Sequence, residues 1–236
     1  MGGSLSCINQ GLDVNELKTL YPVVNDNQTF RTYIRHSKLK DIHKQLSDSG
    51  YIEGTIENGT LTTGTSPFNV FARYGSGIMK TRVDQSIIDG YTDRWVVCHN
   101  LPENDMNWKD TSNKRASMCG PDDTGPGHVF ITTTNLDWTL FNVLTIVRTG
   151  NVDFLLELKE VAELYVKERG WKNYGFYFHC FPHNSVNSLH LHVCNEDNTG
   201  HMLDECAYKN LPLDTAIDIA KEIKIYNLNR IRRDFK

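Results

Sequence analysis

Between Phe181 and Asp197 the chain reads FPHNSVNSLHLHVCNED, with Ser188, His190 and His192 at every second position. Imidazole titrates nearest neutral pH of all side chains, so such a row can bind a metal, move protons or attack an electrophile. In a strand, successive side chains point to opposite faces. Ser188, His190 and His192 therefore share one face, expected to be open, and Leu189, Leu191 and Val193 share the other, expected to be core. A one-residue shift would bury both histidines and expose every aliphatic. Three uses of the row compete. The histidines decorate a solvent face; or they bind a metal, with His179 or His183 as third ligand; or one imidazole attacks phosphorus while its neighbours hold the phosphate oxygens. The chain has no CxxC and no carboxylate at ligand-like spacing beside the pair, which counts against the metal.

The elements that must position this row are legible in outline. Residues 12–50 read as helical, closed by Ser49-Gly50, and Asn58-Gly59 reads as a hairpin turn. From residue 66 the pattern changes. FNVFARYG and MKTRVDQSII alternate like strands, and RWVVCHNLP is an apolar strand stopped by Pro102. The polar stretch to Gly127 is long for a loop, so it reads as an insertion or a lid. HVFITTT is a strand. NLDWTLFNVLTIV reads as a helix capped by Thr134 or Asn135. Residues 153–169 carry apolar side chains at spacings of three and four and end at Gly170, which specifies a helix. NYGFYFHCF and the histidine row are the last strands, and NLPLDTAIDIAKEIKIY is a short amphipathic helix. This order predicts an α+β fold with a mostly antiparallel sheet and helices on one face. The boundaries are a helical N-terminal extension (1–65), a main domain (66–195) with an insertion at 103–127, and a C-terminal tail with a short helix (196–236).

Composition narrows the classes. The 236 residues are 39% hydrophobic and 23% charged, as in ordinary globular domains. A net charge of −4 argues against a general nucleic-acid binder, and the basic run NLNRIRRDFK reads as a solvated helix end. Cys98, Cys180 and Cys194 lie in apolar strand-like runs, which suits free thiols in a reducing, intracellular and cytoplasmic setting. No apolar run approaches the ~20 residues of a membrane helix. The start MGGSLSC fits the myristoylation pattern, with Gly2 as acceptor and Cys7 placed for a second, reversible acyl chain. Acylation would bring peripheral membrane association; the other reading of this stretch is a flexible polar terminus.

NSVNSLHLHV resembles the signature of the histidine triad (HIT) superfamily, in which three alternating histidines follow a phosphate-binding Q-S-V-x stretch. RWVVCHNLPEN resembles that family's strand ending F-H-D-I-S-P, and GHVFITTTNLDWTLFNVL resembles its strand and helix H-x-L-V-I-P-K-x-H-I-x-x-L. The resemblance covers roughly residues 67–195, and the tail CNEDNTG resembles a longer-tailed branch that includes aprataxin-like proteins. It departs at one place: Ser188 stands where the first histidine belongs. In the shifted register His190 is first, His192 the nucleophile and Cys194 third. The unshifted register is preferred because Ser185-Val186 then falls three residues before the first position and Val193 follows the third.

The resemblance implies a HIT-like fold and transfer or hydrolysis of a nucleoside monophosphate group, without cofactor or metal. His190 would attack the α-phosphorus, and His192 would contact phosphate oxygens or protonate the leaving group. Ser185 would bind phosphate, with Asn187 and Ser188 beside it. Asn100 would hydrogen-bond the ribose in place of the family's aspartate. His179 faces either the site or the core. His183, in the loop, would replace what Ser188 lost. His99 reads as a pocket residue or as a hydrogen-bonded core histidine. The substrates implied are nucleoside phosphoramidates, dinucleotides or nucleotidylated molecules, and many family members are homodimers. The alternative is a non-catalytic HIT-like module that holds a nucleotide or a partner.

Overall fold

The computed structural model describes residues 18–36, 55–57, 60–62, 84, 86–135, 137–181, 183–184 and 189–234. Helix α1 (Asn27–His36) is followed by strands β1 (Thr55–Glu57) and β2 (Thr60–Thr62). Their register pairs Glu57 with Thr60, so the connection falls on residues 58 and 59, which lie outside the described residues. Strand β3 (Trp95–His99) leads into α2 (Pro102–Met106), where Pro102 occupies the first turn and its missing N–H is harmless. Then come β4 (His128–Thr133), α3 (Val143–Thr149), α4 (Val152–Glu168), β5 (Tyr174–His179), β6 (Leu191–Asn195), α5 (His201–Glu205), β7 (Asn210–Pro212) and α6 (Leu213–Asp234). Strands β3 to β7 form one antiparallel sheet in the order β3-β4-β6-β5-β7. The α+β class expected from the order of elements is therefore present.

One face of the sheet carries Trp95, Val97, Val129, Ile131, Leu191 and Val193, all buried in the main core with the apolar faces of α3, α4 and α6. Tyr21, Val24, Phe30, Tyr33 and Ile34 join the same core, so the described part of the N-terminal stretch packs on the sheet domain. Helix α3 is held by a reciprocal cap: Asn142 accepts from the Thr145 N–H at 3.0 Å, and its own N–H donates to Thr145 Oγ1 at 3.2 Å. It ends at Gly150, whose φ of +71° only glycine adopts freely. A Cβ there would also meet the Lys224 backbone at 3.0 Å, where α6 crosses.

Three expectations change. The helix expected from Thr134 or Asn135 starts at Val143. Asn135 and Asp137 turn their side chains onto nearby N–H groups at 2.9 and 2.8 Å, which favours turns over helix. MKTRVDQSII, expected as a strand, ends in a 3₁₀ turn at Ser86–Ile88, and residues 66–83 lie outside the described residues. The tail's short helix is instead a 22-residue helix, preceded by a fifth strand that the sequence reading missed. Asn-Leu-Pro is too short to show a period, and Pro212 is tolerated because β7 is an edge strand.

Helix α6 thus belongs to the core: Ala216, Ile217, Ile219, Ala220 and Ile223 are all buried. Ile219→Ala should destabilise the protein by about 2–5 kcal/mol in urea denaturation. A loss below about 1 kcal/mol would show that this helix is not part of the cooperative core.

Candidate functional site

The second face of the sheet gathers the chemistry. Phe130 and Tyr177 both pair with His192 across β6. By the period of two, His128 and Thr132 on β4, His179 on β5 and Cys98 on β3 share that face. Four imidazoles meet there. The His192 ring lies 3.9 Å from His179, 4.9 Å from His190 and 5.2 Å from His128, centroid to centroid. Phe130 stands edge-on to His190 at 5.6 Å and to His192 at 5.0 Å. The chain entering β6 is pinned at Leu189, whose N–H donates to Phe141 O at 2.6 Å and whose carbonyl accepts from Thr132.

This face was expected to be open, and it is not: His190 is 7% exposed and His192 5%. Residues 116–120 of the insertion meet it at His128, and Met118, Cys119, Cys194 and Cys206 pack there with Met202, Leu203 and Tyr177. The insertion is stitched down. Gly200 N–H donates to Met118 O and Gly120 N–H to Asn198 O, each at 2.8 Å. Asp122 accepts from Trp171 Nε1 at 2.8 Å and Asn195 Nδ2 at 2.9 Å, with the buried Arg169 at 3.4 Å. The Trp108 ring lies against Gly120 so closely that there is no room for a Cβ. These contacts tie the insertion to the sheet beside His128.

Hydrogen-bond direction settles the tautomers. The Met118 N–H can only donate, and it lies 3.2 Å from His128 Nδ1. His128 therefore carries its hydrogen on Nε2 and donates it to His192 Nδ1 at 3.0 Å. His192 in turn carries its hydrogen on Nε2, a buried donor with no hydrogen-bond partner among the described residues. Burial also sets the charge. It holds His192 and His179 well below the ordinary imidazole range and pushes His128 down to about 3, with the neighbouring imidazoles adding repulsion. These three rings are neutral at pH 7. A chain of neutral imidazoles with one unsatisfied N–H can offer lone pairs to an electrophile and a hydrogen bond to an anion.

The other residues singled out in the sequence scatter. His179 joins the group; its Nε2 lies 2.8 Å from Asn210 Oδ1. His99 is on the opposite face, 3.5 Å from Asp84, which places it among the packing residues rather than in the pocket. His183 is drawn away from the group: its Nε2 donates to Tyr21 O at 2.6 Å and its ring meets Tyr208, clamping the N-terminal segment. Asn100 both donates and accepts, but toward the insertion: to Ser117 Oγ at 2.8 Å, and from Leu101 N–H and Asn104. Ser185, Asn187 and Ser188 lie outside the described residues, as do Gly2 and Cys7. Among the described residues no three His, Cys, Asp or Glu side chains are arranged to hold a metal ion, and no helix is long and apolar enough to cross a membrane.

His128 and Asn210 were missed. His128 opens HVFITTT, and its alternation with Phe130 and Thr132 could have placed it on the histidine face. Asn210 had no signal, because its strand had none.

The tautomer chain gives a pH signature. His128 titrates near 6.5 when unfolded and at about 3 when folded. The unfolded chain therefore takes up a proton that the folded chain refuses, so its stabilisation is complete above ~6.5 and is lost as pH falls toward 3. His128→Asn should shrink the loss of urea stability between pH 7 and pH 5 by about 2 kcal/mol. An unchanged loss would mean that His128 titrates normally in the fold.

Compared with known proteins, the chain matches no family model, no curated protein and no solved structure.

Proposed function

We propose that this chain is a divergent HIT-superfamily enzyme that transfers or hydrolyses a nucleoside monophosphate group through a nucleotidyl-histidine intermediate on His190. The observation that carries the reading is the buried Nε2–H of His192 next to His190, unpartnered among the described residues and in a tautomer dictated by His128. A preorganised donor of this kind is what a phosphate oxygen needs as charge develops in the transition state.

In this reading a ring nitrogen of His190 attacks the α-phosphorus. The nitrogen–phosphorus bond forms as the bond to the leaving group breaks, and its electron pair departs with that group. His192 donates its Nε2–H to a phosphate oxygen or to the leaving atom. The His128 Nε2–H, bonded to His192 Nδ1, then stabilises the negative charge left on the His192 ring. Water or another hydroxyl acceptor cleaves the nitrogen–phosphorus bond, its proton returns to His192, and neutral His190 is restored. Ser185, Asn187 and Ser188 would hold the phosphate. The shifted register fits less well, because Cys194 is buried beside Cys119 and Cys206, which pushes its thiol pKa well up and keeps it a neutral, poorly donating group.

The non-catalytic alternative is favoured by one observation, the near-complete burial of both row histidines. The two readings separate on incubation with adenosine or guanosine phosphoramidate and with dinucleoside polyphosphates. The enzyme should release nucleoside monophosphate and carry an acid-labile nucleotidyl label. His190→Ala should lower turnover by about a thousandfold or more and abolish the label, and His192→Gln should lower it about 10²–10⁴-fold. Binding without turnover of any of these compounds would leave the binding module.

A further inference from the structure

His179 closes β5 and meets the histidine group from the side of β7. Its Nε2 lies 2.8 Å from Asn210 Oδ1. The Asn210 amide is itself oriented, because its Nδ2 donates to Leu203 O at 3.3 Å. Oδ1 can only accept, so His179 carries its hydrogen on Nε2 and keeps a lone pair on Nδ1. The ring packs on His192 at 3.9 Å, nearer than any other imidazole. Asn210 is buried and sits opposite His179 in the β5–β7 register, so the contact is built into the sheet.

The chemical type at 210 matters. Around His179 stand His190 and His192 from β6, His128 from β4 and Lys209 from the turn before β7, and none of them welcomes a cation there. An amide oxygen accepts the hydrogen bond without adding charge. A carboxylate at the same place would draw a second proton onto His179 and set an imidazolium against His192.

We propose that Asn210 is a positioning residue that makes the C-terminal strand part of the site: it locks His179 as the neutral Nε2–H tautomer against His192. It thereby supplies an ordered neutral imidazole to a row that has Ser188 at its first place. The inference rests on the reading of His190 and His192 as the reacting pair.

Imidazole nitrogen NMR on the whole chain tests it, together with pH–rate profiles on a nucleoside phosphoramidate. Wild-type His179 should show one protonated nitrogen, Nε2, throughout pH 6–8. Asn210→Asp should convert it to imidazolium at pH 7 and move the acid limb of kcat/KM upward by about one pH unit or more, with rate recovering at higher pH. Asn210→Leu should give mixed tautomers. Wild-type His179 found as imidazolium or as the Nδ1–H form would overturn the proposal, and this needs no variant to fold. So would Asn210 variants that only lower Tm while tautomer and acid limb stay in place. If the wild type turns over no nucleotide, the enzyme reading falls, and the NMR still decides whether Asn210 sets the tautomer.

Discussion

Strand β6 is buried on both faces, and most of the structure answers to that constraint. Its aliphatic side chains, Leu191 and Val193, are fully enclosed by the helical layer. Its histidines are enclosed as well, and an imidazole removed from water must place its polar atoms or lose stability. The second face is organised around that need. The Met118 N–H, presented by the insertion, satisfies His128, which satisfies one side of His192. Asn210, presented by the C-terminal strand, satisfies His179.

The same enclosure decides the charge. Adjacent imidazoles in a poorly solvated space cannot share positive charge, and Lys209 adds to the repulsion. Neutrality and fixed tautomers follow from geometry rather than from any one residue's intrinsic pKa. Removing any member of such a network strands the polar atoms of the next.

The segments flanking the sheet domain are structural partners of the site. The described N-terminal residues enter the main core and are clamped by His183 through Tyr21. Arg31 binds Glu222 of α6 with both a 3.0 Å and a 2.6 Å hydrogen bond. The insertion is anchored by Asp122 to Trp171 and Asn195, at the end of the sheet where β4 begins and β6 finishes, next to His128.

The sequence by itself determined what depends on local period and local turn chemistry. The alternation of β6, the helix ending at Gly170, the strand stopped at Pro102 and the α+β class were all legible, because each is written within a few neighbouring residues. So was the assignment of His190 and His192 to one face. The tertiary structure decided what depends on distant partners. That the histidine face is enclosed depended on distant segments, among them residues 116–120, which meet it at His128. His99 and His183, equal candidates by type, were separated by strand parity and by a carbonyl 162 residues away. His128 and Asn210 entered the site only through strand pairing. The three-residue strand that carries Asn210 exists because an edge of the sheet offers it hydrogen bonds, and no pattern in Asn-Leu-Pro could announce that.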